Sequence, residues 1–400
     1  MGKGLKIKRI IYLLQNLPTC YRLLKSINQQ IPRLDPWRGK VKILVILLSG
    51  YPMSSQRKAV ALISGGLDSM LAVKIVQKQG IHVEGINFYT GFCHSGHTSA
   101  IRNRKNSAKP LRNDALWVAE QLGIKLHIVD IVEPYKDVLL NPKHGYGKNI
   151  NPCLDCKIFM VQQAHEWMIE NHFDFIITGE VVGQRPKSQR KATMPLIAEE
   201  SGAEDRLLRP LCAKLLPPTL PEREGWVNRE ELYDFQGRNR KPQLGLAATM
   251  AIEEFAQPAG GCCVLTDENY TRRLRDMWDH RDSCDYDMED IILLKAGRHI
   301  RPKPHYKMII ARDEAESNFL TGYRKEFIHM QIRTHRGPMI LIEGQPTTDD
   351  LLTCARIAGR FCSGRDEPQI EVDLHHLNGE TQILQAKPMR AEEIPQEWYL

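Results

Sequence analysis

Apolar residues run unbroken from 59 to 63 (AVALI), then give way to Ser-Gly-Gly-Leu-Asp-Ser at 64–69. A short continuous apolar run bounded by glycines predicts a strand buried on both faces. The next segment, MLAVKIVQKQ at 70–79, places its apolar residues at helical spacing. Further apolar runs at 82–88, 124–130 and 173–178 alternate with helical stretches at 69–79, 111–122 and 154–171. Such alternation over 57–275 predicts βαβ units around a parallel sheet, with ligands bound at the C-terminal ends of the strands. The stretch LLPPT at 215–219 reads as a breaker, and QPAGGCC at 257–263 as a tight irregular loop. From 285 onward, shorter strand-like runs at 308–311 and 339–342 mix with helices, which predicts a smaller α+β domain over 285–400.

Residues 1–56 stand outside this pattern. They hold ten Lys or Arg and a single acid, Asp35, whereas the rest of the chain holds 45 basic and 47 acidic residues. The net charge of +7 is therefore a property of this extension, and any RNA surface elsewhere has to be a local patch. Because Met53 opens a segment that would itself make a natural start, residues 1–52 are expected to be an over-extended start or a disordered addition. At 400 residues and 42% hydrophobic, the chain has room for one large or two medium domains. The apolar run at 43–48 is too short to span a bilayer. A cytoplasmic location without membrane contact is expected, and the ten cysteines then read as thiols, cluster ligands or catalytic groups.

The 64–69 loop carries the first candidate chemistry. At a strand-to-helix junction, unpaired N–H groups and the helix dipole hold phosphate oxygens. Gly65 and Gly66 admit an anion close to the backbone, and Ser64 and Ser69 add hydroxyls. Asp68 can position Mg²⁺ or a phosphate-bound water. The lysine that an ordinary P-loop places before its last Ser or Thr is missing. The loop Ser64-Gly65-Gly66-Leu67-Asp68-Ser69 instead resembles the SGGxDS loop of the PP-loop ATP pyrophosphatases, whose domains are Rossmann-like (adenine nucleotide alpha hydrolase-like). That resemblance implies ATP and Mg²⁺, attack of a substrate on the α-phosphorus, and release of pyrophosphate.

A second constellation is sulfur. Asn-Pro-Cys-Leu-Asp-Cys at 151–156 sets Cys153 and Cys156 at a predicted helix start, where thiolates are favoured. Cys262, directly after Gly260-Gly261, is the third candidate, chosen over Cys263. Three thiolates can hold a 4Fe-4S cluster with one iron open, and two can serve as persulfide carrier and resolving thiol. Structural zinc and incidental buried cysteines are the other readings. The loop Cys93-His94-Ser95-Gly96-His97 reads as an exposed or gating loop rather than a metal site. Gly179 and Gln184, within TGEVVGQ at 178–184, are expected to face nucleotide or substrate.

Together these residues resemble the tRNA thiouridine synthases of the PP-loop family. The match includes Thr178-Gly179-Glu180, Gly183-Gln184, Ser188-Gln189 and Arg209-Pro210-Leu211, which look most like 4-thiouridine synthase. Unlike that enzyme, this chain has only 56 residues ahead of the loop domain, too few for a THUMP module. The region 294–312 (LKAGRHIR, then KMIIAR) faintly resembles the RNA-binding domain of the NFACT family. The basic clusters Arg102/Arg104/Lys105, Arg238/Arg240/Lys241 and Arg272/Arg273/Arg275 are candidate phosphate contacts. The resemblance implies ATP-dependent thiolation of a tRNA uridine, with Cys153, Cys156, Cys262 and Asp68 as catalytic residues. The implied partners are tRNA and a sulfur donor, a cysteine desulfurase or inorganic sulfide, and homodimerisation stays open. The alternatives are an amide ligase using ammonia, which leaves the cysteines without a role, a small-molecule thiolase, and a non-catalytic RNA-binding protein.

Overall fold

A computed structural model describes residues 56–93, 113–255, 263–281 and 283–400. The expectations for residues 1–52, for His94 and His97, for Arg102, Arg104 and Lys105, and for Cys262 lie outside the described residues. The first part of the chain alternates as its apolar pattern predicts. Strand β1 is Lys58–Leu62, α1 Leu67–Gln77, β2 His82–Tyr89, α2 Asp114–Leu122 and β3 Leu126–Asp130. Helices α3 (Val132–Leu140) and α4 (Cys153–Glu170) precede β4 (Phe175–Ile177), and α5 (Thr193–Glu200) precedes β5 (Leu207–Leu208). All pairings are parallel, in the order β3-β2-β1-β4-β5.

Central β1 is apolar from Ala59 to Leu62 because both its faces are covered there. Ala59 and Ala61 pack with Leu67 and Leu71 of α1 and Val118 of α2. Val60, pointing the other way, packs with Ile158 and Val161 of α4 and Ile197 of α5. The strand order reverses at β1, whose neighbours are β2 on one side and β4 on the other. The crevice outside the C-terminal ends of β1 and β4 is therefore the expected ligand position in such a sheet.

Four further helices follow: α6 (Leu220–Arg223), α7 (Lys241–Thr249), α8 (Glu268–Asp279) and α9 (Met288–Leu293). The breaker at 215–219 ends in Thr219, which caps α6 through a capping box with Glu222. Leu246 and Ala247 of α7 join α1 in the core on one side of the parallel sheet.

The remaining strands, β6 (Arg298–Lys303), β7 (Tyr306–Ile310), β8 (Ile328–Ile332), β9 (Ile340–Gly344), β10 (Ile370–His375) and β11 (Thr381–Ala386), form an antiparallel sheet ordered β11-β10-β8-β9-β7-β6. Helix α11 (Thr348–Arg360) covers one face through Leu351, Cys354 and Ile357, and α10 (Glu314–Thr321) covers part of the other through Leu320. The first strand of this sheet begins at 298. Before it, Ile291 and Leu294 pack with Phe92 and Tyr135 beside the parallel sheet. Lys295 then reaches back, its Nζ donating to the Gly91 carbonyl at 2.6 Å. Among the described residues no helix is long and apolar enough to cross a membrane.

Candidate nucleotide and thiol site

The glycine-rich loop occupies the four residues between β1 and α1, so the helix begins at Leu67 rather than at 70 and carries Asp68 and Ser69 on its first turn. Gly65 has φ +79°, and a Cβ there would lie 2.6 Å from the Cβ of Asp114 at the start of α2. Only glycine takes both this backbone conformation and this approach. Gly66 stands at the N-cap of α1 with no side-chain cap, so the dipole end of the helix opens directly onto the loop. Ser64 is exposed. Ser69 is buried, and its hydroxyl donates to the Gly66 carbonyl at 2.7 Å, bracing the turn.

Asp68 is held by the loop that follows β4. A Cβ on Gly179 would fall 2.4 Å from the Asp68 carbonyl carbon, so the two backbones meet with no room for a side chain. Gln184 Nε2 donates to Asp68 Oδ2 at 3.0 Å, while Oδ1 is buried without a hydrogen-bond partner. Burial raises the Asp68 carboxyl above its ordinary value, against the opposing pull of the Gln184 hydrogen bond and the charges of Arg240 and Arg185. An orphaned carboxylate oxygen beside an uncapped helix N-terminus suits a cation held on a polyphosphate. The residues present fit Mg-nucleotide.

Buried charges hold the same loop in place. Glu180 accepts from Thr178 Oγ1 at 2.8 Å and from Arg209 Nε at 3.2 Å, and lies 3.6 Å from Lys157 Nζ. Burial pushes its pKa up, but the Lys157 and Arg209 charges with the Thr178 hydrogen bond outweigh that and hold it below the ordinary value. The paired motifs at 178–180 and 209–211 are thus two ends of one buried ion network, which makes them braces of the site. Cys212 Sγ donates to the Glu180 carbonyl, and burial pushes this thiol up to about 12.

The two cysteines of the CxxC motif lie on one side of α4 but meet different neighbours. Both lie in the first turn of α4, three residues and so about 60° apart around the axis. Cys153 Sγ sits 3.7 Å from Ser188 Oγ on the loop after β4. Cys156 packs instead against the core cluster that holds Phe92, Tyr135 and Val264. Burial, followed by the Cys156 and Cys263 charges, a hydrogen bond with Cys156 and the Cys93 charge, drives the Tyr135 phenol well above its ordinary value. Cys93 and Cys263 face each other across an antiparallel bridge. Lys295 stands by both of these thiols, and burial lowers its ammonium to about 8. Among the described residues no group of three or more Cys, His, Asp or Glu is gathered closely enough to hold a metal ion.

Sequence reasoning did not single out Tyr135 or Arg185, and it read Cys93 only as part of an exposed or gating loop, Lys295 only within a segment resembling an RNA-binding domain and Arg240 only within a basic cluster offered to RNA phosphates. The position of Cys93, just past the C-terminal end of β2, was a usable signal, since that sheet edge also carries the 64–69 and 178–184 loops. Nothing local marks Lys295 or Arg240, which arrive from far along the chain.

Known proteins resemble this chain in two separate regions. Residues 57–202 match the family model described as the tRNA methyl transferase HUP domain. Residues 297–399 match the model described as the NFACT protein RNA binding domain. The tRNA-specific 2-thiouridylase MnmA of Mesoplasma florum is 29% identical over 146 residues, 34% of this chain and 39% of that protein. A probable tRNA sulfurtransferase of Thermococcus kodakarensis is 27% identical over 166 residues, 41% of this chain and 40% of that one. The chain therefore spans about two fifths of these relatives. A solved 4-thiouridine synthetase–RNA complex with bound ATP overlaps 53% of this chain and 46% of its own, at 21% identity and a TM-score of 0.33.

Proposed function

We propose that this PP-loop protein thiolates a uridine of tRNA at the expense of ATP. The observation that carries the reading is one loop serving two chemistries. Residues 178–193 touch Asp68 through Gly179 and Gln184, and touch Cys153 through Ser188. Nucleotide activation and sulfur delivery then meet at one sheet edge.

A uracil carbonyl is a poor electrophile because its oxygen leaves badly. Attack of that oxygen on the α-phosphorus of ATP expels pyrophosphate and converts the oxygen into the leaving group AMP. The backbone N–H groups at 64–66 would hold the departing pyrophosphate, and Gln184 would keep the Asp68 carboxylate turned toward it. Mg²⁺ at Asp68 would supply charge neutralisation. A sulfur nucleophile presented from Cys153 or Cys156 then displaces AMP. As a persulfide, its terminal sulfur bonds to carbon while the partner thiolate breaks the S–S bond, leaving a disulfide that an external dithiol reduces. A 4Fe-4S cluster on Cys153, Cys156 and Cys262 is the other form of the sulfur site. The 297–399 segment, by its match to an RNA-binding domain, would capture the tRNA.

The test is pyrophosphate release and thiouridine formation with tRNA, ATP and a sulfur donor (sulfide, or a cysteine desulfurase with cysteine). Wild type should release pyrophosphate only with tRNA, and Cys153→Ala should still release it without forming thiouridine. No tRNA-dependent release by the wild type overturns the reading. Iron and acid-labile sulfide that disappear in Cys153→Ala would assign the cluster, and an iron-free active protein would assign the persulfide.

A further inference from the structure

A polyphosphate carries more charge than backbone N–H groups neutralise alone, and this loop lacks the lysine that meets it in ordinary P-loops. The compensating cation has to come from elsewhere in the fold. Residues 236–240 supply a candidate. Gln236 bridges to Val182, and Gly237 N donates to the Val182 carbonyl at 2.7 Å. A Cβ on Gly183 would lie 3.4 Å from Gly237 N, so this strap lies flat on the loop that bears Gln184. The strap ends in Arg240, the N-cap residue of α7, whose Nε is buried with no hydrogen-bond partner.

Helix α7 packs on α1, which fixes the direction of its first turn. Leu246 and Ala247 join Leu67 and Leu71 in one core cluster. Gln243, three and four residues earlier on the same face, is 1% exposed, and neither its Oε1 nor its Nε2 has a partner. Across from this helix start, Asp68 Oδ1 is likewise orphaned. Unmet buried polar atoms are costly, and the pair whose charges act on each other here, Asp68 and Arg240, marks a place where a polar ligand belongs.

We propose that Arg240 is the phosphate-gripping cation of the nucleotide site, standing in for the missing P-loop lysine. This assignment rests on the ATP reading above. It moves Arg240 out of the basic cluster that the sequence offered to RNA. Arg240 binds the β- and γ-phosphates as a charge-assisted donor, and Arg185, on the loop beside Gln184, adds to the positive field.

Calorimetric binding of Mg-ATP and of adenosine to the full chain tests this without requiring turnover. Arg240→Gln should weaken Mg-ATP by about ten- to hundred-fold, the loss of a charge-assisted hydrogen bond. It should leave adenosine binding unchanged, and Arg240→Lys should recover most of the Mg-ATP affinity. Lys78→Gln, an exposed cation at the far end of α1, should bind like the wild type. Equal Mg-ATP affinity in Arg240→Gln, or parallel loss of ATP and adenosine, overturns the assignment. A wild type that binds no Mg-ATP overturns the ATP reading itself, an outcome distinct from the variant result. If Arg240→Gln does not fold, phenylglyoxal labelling of the wild type decides. Protection of Arg240 by Mg-ATP supports the assignment, and unchanged labelling overturns it.

Discussion

Gly179 is the tightest point of the site, and its neighbours are backbone atoms that cannot turn aside. A methyl group there would meet the Asp68 carbonyl and the Ser69 nitrogen at 2.5 Å. Gly179→Ala should therefore lower stability by about 1–3 kcal/mol, as overpacking does, and shift the Asp68 carboxylate. The denaturation midpoint checks the first effect and Mg-ATP affinity the second. Asp68 itself is held against its own solvation. Its raised carboxyl pKa means that the folded chain holds this proton more tightly than the unfolded chain does. Relative to Asp68→Asn, wild-type stability should thus fall as pH rises from below 3.8 through the higher native value, and stay lower beyond it. Melting curves of both proteins between pH 3 and pH 7 check the sign, and loss of ATP turnover in Asp68→Asn checks the role.

Among the elements, the loops at the C-terminal edge of the parallel sheet carry most of the chemistry, and the helices set which way it points. The bridge between Cys93 and Cys263 is accompanied by a Val264 N–H donated to the Phe92 carbonyl at 2.9 Å, which marks a non-hydrogen-bonded pair. Such residues have Cα atoms about 4.5 Å apart and side chains on one face, within reach of a disulfide. Mild oxidation of the native protein should link Cys93 to Cys263, as read by peptide mapping. Under the same conditions Cys212, buried and pushed up to about 12, should resist alkylation at pH 8, while exposed Cys284 is labelled rapidly. The helix-start reading of Cys153 and Cys156 was legible from Pro152 and the apolar spacing after it. Their different neighbours, Ser188 for Cys153 and the Tyr135 cluster for Cys156, were not, because these depend on how α4 is rotated against the sheet.

At the scale of the whole molecule, Lys295 ties the segment leading into the antiparallel sheet to Gly91 beside the parallel one. Its ammonium, lowered to about 8 by burial, is a cost to the folded state at lower pH. Since the unfolded lysine keeps its proton to about 10.5, wild type should gain stability relative to Lys295→Met as pH rises from about 8 to 10.5. Urea titrations of both proteins at pH 7.5 and 10 check this. The alternation of strands and helices, the 64–69 loop at a strand-to-helix junction and the CxxC at a helix start were all determined by the sequence alone. Each rests on local periodicity, on glycine conformation or on proline geometry, which neighbouring residues decide among themselves. The meeting of Arg240 with Asp68, of Cys93 with Cys263, and of Lys295 with both thiols was decided only by tertiary structure. Apart from Lys295 and Cys263, these pairs lie more than 150 residues apart in the chain, and the packing of α7 on α1 and of α9 beside Phe92 brings them together, a consequence of core burial that no local pattern encodes.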